Sequence, residues 1–140
     1  MHRFTLDVLV GSWRLWRTVF DRRTRKTSAM WGKALFSPGK KSELVYVEEV
    51  THQQEDEKAY RAQQRYRYEL KGNQLEMYRY DEAPKVPFLT LPIDKLRGKA
   101  HCGADKYELD WNFKGAELFL QRYSVLGPRK DYVIRSLFSR

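Results

Sequence analysis

Apolar and polar residues alternate with a period of two along most of this chain. Tyr107-Glu108-Leu109-Asp110-Trp111-Asn112-Phe113 is apolar at every odd position and polar at every even one. That is the pattern of a strand with one buried face and one solvated face. Over 61–70 the same alternation puts Ala62, Gln64, Tyr66, Tyr68 and Leu70 on one face, and Arg61, Gln63, Arg65, Arg67 and Glu69 on the other. Turn-forming residues cluster at 21–28, 37–40, 71–73, 81–87, 102–105, 114–116 and 127–128. The segments between them are short and rich in Val, Tyr, Phe and Trp. They predict strands over 12–21, 30–37, 43–50, 61–70, 75–80, 88–91, 98–102, 107–113, 118–125 and 131–139. Lys71-Gly72-Asn73-Gln74 reads as a hairpin turn, 22–26 as an exposed hairpin tip and 52–58 as a solvated loop. One short helix is expected before the first strand, capped by Thr5, with Asp7 in its first turn and Gly11 at its end.

No long stretch has a 3.6-residue period, which leaves no room for repeated strand–helix–strand units. Antiparallel strands in sequence order, joined by short turns, close most simply as an up-and-down barrel. The fold class is therefore all-β, an antiparallel up-and-down barrel of about 8–10 strands with a short N-terminal helix. An even strand number returns the last strand antiparallel to the first and brings Arg140 beside Trp13. A guanidinium over that indole would contribute roughly 0.5–2 kcal/mol; the alternative is a frayed terminus.

Composition narrows the class further. A length of 140 residues suits one domain over 1–140. Hydrophobic residues make up 41% and aromatics 14%, which excludes wholesale disorder. No apolar run approaches the ~18–20 residues of a membrane-spanning helix. The single cysteine, Cys102, excludes an internal disulfide and a multi-cysteine metal site. The first apolar run is short and interrupted by Asp7, unlike a secretory signal, so the expected compartment is the cytoplasm.

Gly11-Ser12-Trp13, after a short helix and opening the first strand, resembles the G-x-W start of calycins, the lipocalin and fatty-acid-binding superfamily. Those barrels often set an Arg from the last strand against that Trp, which falls on Arg140 here. The second half carries a more specific likeness. Ala100-His101-Cys102-Gly103-Ala104-Asp105-Lys106-Tyr107 and Gln121-Arg122-Tyr123-Ser124-Val125-Leu126-Gly127-Pro128-Arg129-Lys130-Asp131-Tyr132 resemble an uncharacterised calycin-like family. That family has an H-C-x-x-D-x-Y segment and a G-P-R-K-D-Y turn before its last strand. The likeness extends to Gly32-Lys33-Ala34 and Leu44-Val45-Tyr46-Val47-Glu48-Glu49. It implies a lipocalin-like barrel and no particular activity. Gly11, Trp13, Asp105, Gly127, Pro128, Arg129 and Arg140 are read as serving the fold. Some calycin-like barrels bind haem through one His, a role that would fall on His101.

A barrel of this size either holds one small ligand or fills itself with side chains. Trp13, Leu15, Arg17 and Val19 share one strand face, so an inward Trp13 places Arg17 inward. The opposite register would turn Arg14, Trp16, Thr18 and Phe20 inward instead. A buried Arg needs an anion. Either a ligand carboxylate or phosphate supplies it, or an internal acid such as Glu49 or Asp105 does. Tyr66, Tyr68, Tyr107, Trp111 and Tyr123 fall on predicted inner faces, where rings fill a barrel or line an amphipathic pocket. His101 and Cys102 are adjacent, so on a strand they point to opposite faces, which argues against a Cys–His nucleophile. Asp105 sits in a turn where Asp commonly bonds its own backbone. Arg129 and Lys130 either attract an anion at the rim or brace the Gly127-Pro128 turn.

Lys and Arg total 27 against 18 Asp and Glu, a net charge of +9. Solubility is the simplest reading of that excess. Arg61, Arg65 and Arg67, with the tips Arg22, Arg23, Arg25 and Lys26, would meet phosphates if nucleic acid bound. The aromatics, however, alternate as core residues do rather than standing out for stacking. The overall reading is a non-enzymatic barrel that binds a small amphipathic or anionic molecule and needs no cofactor. Arg17 holds the anionic group, Tyr66, Tyr68, Tyr107, Trp111 and Tyr123 line the cavity, and His101 adds a polar contact. The alternatives are a filled barrel acting through its basic outer surface on nucleic acid or an acidic partner, and a haem-binding barrel using His101.

Overall fold

The computed structural model describes residues 5–53, 57–79 and 87–140. The predicted turn at 81–87, the end of the strand at Tyr80 and the centre of the 52–58 loop lie largely outside those residues. Ten strands follow one another: β1 (Gly11–Asp21), β2 (Lys26–Pro38), β3 (Glu43–Gln53), β4 (Tyr60–Lys71), β5 (Gln74–Arg79), β6 (Leu89–Pro92), β7 (Arg97–Cys102), β8 (Asp105–Gly115), β9 (Leu118–Leu126) and β10 (Asp131–Ser139). They form one antiparallel sheet in the order β6-β5-β4-β3-β2-β1-β10-β9-β8-β7. The first and last strands pair, from Arg14 opposite Ser139 to Asp21 opposite Tyr132. The sheet curls until its two edges meet at β6 and β7. A Cβ on Gly98 would lie 2.4 Å from the Thr90 carbonyl oxygen, so only glycine permits that approach. The result is a nearly closed up-and-down barrel.

The predicted helix is a single 3-10 turn, Leu6–Leu9. Thr5 occupies the N-cap position but its side chain makes no capping hydrogen bond, contrary to expectation. The turn is held instead by its apolar residue Leu9, fully buried against the floor of the barrel, whose carbonyl accepts a 2.8 Å hydrogen bond from Trp13 Nε1. The 52–58 segment also differs from its reading as a loop. β3 runs on to Gln53, and His52 is buried.

Strand parity assigns the interior. Trp13 and Leu15 are buried while Arg14 and Trp16 are exposed, so the first of the two registers holds. At the end carrying the 3-10 turn the barrel is packed solid. Phe119 stacks on Phe138 at 4.3 Å, meets Trp13 edge-on at 4.8 Å and stacks on Phe113 at 4.9 Å. Trp111, Phe36 and Tyr68 complete this aromatic floor.

Arg140 locks that end. Its guanidinium sits 3.9 Å from the centre of the Trp13 ring. It also donates to the carbonyls of Val10, Val8 and Ala116 at 2.8, 2.8 and 2.9 Å, joining the 3-10 turn, the start of β1 and the β8–β9 turn. Arg140→Ala is expected to destabilise the fold by about 1–2 kcal/mol, combining the cation–π contact with exposed hydrogen bonds. Urea unfolding measures it, and Arg140→Lys should recover only part of the loss because an ammonium cannot bridge three carbonyls from one plane.

The two motifs singled out in the second half of the chain come together at the opposite end. A Cβ on Gly127 would fall 1.8 Å from Asp105 Oδ1, so the Asp105 carboxylate rests directly against this glycine. Asp105 Oδ2 also lies 3.5 Å from Lys130 Nζ. Asp105 thus ties the β7–β8 turn to the β9–β10 turn, where backbone bonding within its own turn had been expected. Arg129 is exposed beside Pro128.

Candidate functional site

Halfway along the barrel, above the aromatic floor, a charged cluster replaces apolar packing. Arg17 on β1 and Glu48 on β3 both point inward, and their side chains are 13% and 3% exposed. Arg17 Nη1 donates to Glu48 Oε2 at 2.7 Å and Nη2 to Oε1 at 2.9 Å, a bidentate pair. Arg17 Nε donates to Ser136 Oγ at 2.8 Å, and the Tyr46 hydroxyl donates to Glu48 Oε1 at 2.7 Å. Burial alone would lower the Arg17 pKa, but the hydrogen bonds and charge of Glu48 outweigh it and drive the value up. Arg17 therefore stays charged, and its guanidinium is matched by the Glu48 carboxylate in bidentate geometry. The anion that a buried Arg17 requires is Glu48, one residue from the Glu49 considered from the sequence.

Beyond this cluster the walls are lined with tyrosines. Tyr46 stacks on Tyr66 at 6.0 Å, Tyr107 packs on Tyr123 at 5.9 Å and Phe88 on Tyr107 at 5.3 Å. Arg79 lies 4.3 Å above the Phe88 ring. Burial, with smaller contributions from neighbouring anionic and tyrosyl groups, raises the Tyr66 and Tyr123 hydroxyls above the usual tyrosine range, against the opposing pull of Arg79. They remain protonated donors at neutral pH. The Tyr66 hydroxyl donates to Gln64 Oε1. Further toward the same end, His52 Nδ1 shares a hydrogen bond with the Tyr60 hydroxyl, while His52 Nε2 is buried with no hydrogen-bond partner among the described residues.

The residues singled out in the sequence divide cleanly. Arg17, Tyr66, Tyr107 and Tyr123 face one another inside the barrel. Tyr68 and Trp111 are interior too, but they belong to the packed floor, with ring centres 5.5 Å apart. His101 stands apart. It follows the inward Ala100, pairs in register with Lys106 and is exposed on the outer wall, so it makes no contact with the interior cluster. Sequence reasoning missed Tyr46, Glu48, Ser136 and His52. One signal was available: Leu44, Tyr46, Glu48 and Val50 share a parity, so an acid among apolar residues marked a buried carboxylate.

The strand order puts the turns after β1, β7 and β9 at the end away from Trp13. Arg22, Arg23, Arg25, Lys26, Arg129 and Lys130 are exposed on the turns after β1 and β9. Arg22 pairs with Asp131 at 3.2 Å. No helix among the described residues is long and apolar enough to cross a membrane.

Solved structures share this architecture at low identity. The S-type phycobiliprotein lyase from Guillardia theta aligns with a TM-score of 0.64 and 10% identity, over 95% of this chain and 87% of that one. A de novo designed fluorescence-activating β-barrel aligns with a TM-score of 0.51 and 12% identity, over 100% of this chain and 99% of that one. A protein of unknown function from the DUF3598 family of Nostoc punctiforme aligns with a TM-score of 0.58 and 11% identity, over 99% of this chain and 49% of that one. Such likeness establishes the lipocalin-like barrel fold alone. No curated protein matches the chain. A family model covers residues 9–140, and by that match the chain belongs to DUF6314, a family of unknown function.

Proposed function

We propose that the chain binds a small amphipathic molecule in the half of the barrel beyond the Arg17–Glu48 pair. One observation carries this reading. Inward-facing residues of the floor, such as Phe119 and Phe138, are at most 1% exposed, whereas Val19, Met30, Tyr66, Phe88, Tyr123 and Ile134 also face inward yet are only half-buried. Inner walls within reach of solvent describe a cup with a packed floor, the usual form of a pre-formed ligand site. One designed barrel of the same architecture is bound to the fluorogen DFHBI.

Charge placement refines the ligand. Arg17 is already neutralised by Glu48, so a further anion beside it would bury uncompensated negative charge. The buried end of the ligand is therefore a neutral hydrogen-bonding group that meets the Arg17–Glu48–Tyr46 cluster. An acidic group, where present, faces the cations on the turns after β1 and β9. A ring or acyl body lies between Tyr66, Tyr123 and Phe88. A ligand acceptor or donor reaching His52 Nε2 would relieve a buried orphan whose cost is about 1–3 kcal/mol.

Native mass spectrometry of freshly purified protein, beside the same sample denatured, tests the reading. Extra mass that vanishes on denaturation is the expected result. Ala62→Trp places an indole among the half-buried inner residues and should abolish the retained mass while the barrel stays folded. A bare mass, together with no thermal stabilisation by oleate, haemin or DFHBI, would discard the cup as a binding site.

A further inference from the structure

The outer wall carries an apolar band that the barrel does not need for its own packing. Across β2, β1, β10 and β9, the residues Trp31, Trp16, Leu137 and Leu120 are directly opposite one another in register, all facing outward. Trp16 and Trp31 are 51% and 41% exposed, and their rings stack at 6.1 Å with planes 22° apart. A cross-strand Trp pair stabilises a hairpin by itself, but that role does not call for two exposed leucines continuing the row. At the other end the row runs through Thr51 to Arg61. There an open depression of about 410 Å³ is lined by Trp31, Lys33, Glu49, Thr51, Arg61 and Gln63 among others.

Cations flank this band on both sides. Arg14 sits directly opposite Lys33 beside the tryptophans, and Arg135 directly opposite Arg122 beside the leucines. Like charges placed opposite each other on a sheet are destabilising. Across the next ladders Lys33 faces Glu49 and Arg122 faces Asp110, but among the described residues none of the four cations makes an ion pair, and Asp110 is engaged by Arg97 at 3.4 Å. A surface that holds stacked rings between flanks where cations outnumber acids matches a partner made of flat rings between phosphates.

We propose that this band is a binding surface for single-stranded nucleic acid, independent of the interior cup. Bases stack on Trp16 and Trp31, one base enters the depression beside Trp31, and further base faces rest on Leu137 and Leu120. Phosphates meet Arg14, Lys33, Arg122 and Arg135. Five strand steps from Arg61 to Leu120 span ~24 Å, room for roughly four nucleotides, at the low end of sites of ~4–16. Charge disfavours a second copy of the chain, because the net charge of +9 and the cation pairs would face their own kind. Shape disfavours a bilayer. The band follows the convex wall of the barrel with cations on both flanks, so a flat membrane would bury arginines along with the tryptophans. A flexible strand follows that curve.

Fluorescence anisotropy with a labelled twelve-nucleotide oligouridine tests the proposal, with circular dichroism confirming that each variant is folded. Wild type should bind with an affinity that falls steeply with salt. Trp16→Ala/Trp31→Ala should weaken binding by at least ~tenfold. Arg14→Gln/Arg135→Gln should weaken it and flatten the salt dependence by about two phosphate contacts. Arg25→Gln/Arg129→Gln removes the same charge from the rim and should change affinity by less than about threefold. Absence of wild-type binding, undiminished binding by the tryptophan variant, or equal losses from the rim variant would each overturn it. So would binding to vesicles of phosphatidylglycerol and phosphatidylcholine, or self-association, that the tryptophan variant loses while oligouridine is not bound.

Discussion

Arg17→Leu is expected to cost about 3–5 kcal/mol of folding stability, because it strands Glu48 as an unpaired buried carboxylate. Glu48 is 3% exposed and its two oxygens accept from Arg17 at 2.7 and 2.9 Å. Water could approach only from the side of the cup, so it replaces the guanidinium poorly. Glu48→Leu should cost a similar amount for the complementary reason, a cation left with Ser136 alone. The double variant Arg17→Leu/Glu48→Leu should recover most of either loss, since an apolar pair of similar volume often matches a buried ion pair. Recovery stays incomplete because the hydroxyls of Tyr46 and Ser136 lose their partners, at about 1–3 kcal/mol for each buried group left unsatisfied. Urea unfolding of the four proteins closes a double-mutant cycle. If Arg17→Leu costs under ~1 kcal/mol, the pair behaves like an exposed ion pair, and the buried bidentate pair assigned to the middle of the barrel does not exist.

The second large effect lies one layer below. Phe119→Ala should destabilise by about 3–5 kcal/mol, the range for deleting a fully buried aromatic ring. Phe119 is 0% exposed and meets Trp13, Phe113, Trp111, Phe36 and Phe138. Its neighbour Leu120 points to the opposite face and is 39% exposed. Leu120→Ala should cost under about 1 kcal/mol, as surface changes usually do. Adjacent residues with such unequal effects, read from chemical unfolding midpoints, would confirm the parity of β9. Equal effects would shift its register by one and turn every assignment on that strand over.

Parity also explains what was legible in advance. Each strand announces itself through alternation, and each turn through Gly, Pro, Asn or Asp, because these signals act over a few residues of chain. The order of antiparallel strands then required the last to return to the first, and Arg140 over Trp13 follows from that geometry. Where local chemistry was ambiguous the reading slipped. The polar run after Val50 read as loop, yet β3 continues because His52 finds Tyr60 across the ladder on β4. Glu49 and Glu48 differ by one position, so naming the wrong one is naming the wrong face.

The outer surface shows the same boundary from the other side. Two of the four tryptophans are on the outside, Trp16 and Trp31. An aromatic residue on an alternating strand reads as core until its neighbours on other strands are known. Trp16 alone is a partly exposed ring. Trp16 beside Trp31, Leu137 and Leu120 is a surface, and only the register of four strands brings those residues together.

The one-dimensional pattern thus determined the strands, their turns, the barrel class and the residues at its locked end, since each depends on short-range periodicity or on strand order. The tertiary structure alone decided that Arg17 meets Glu48, that several inner residues on one side of that pair are only half-buried while the floor on the other is fully buried, and that His101 faces out. Those facts depend on which residues of distant strands lie level once the sheet has curled. That level is set by register and by the tilt of a closed barrel, and no single strand carries it.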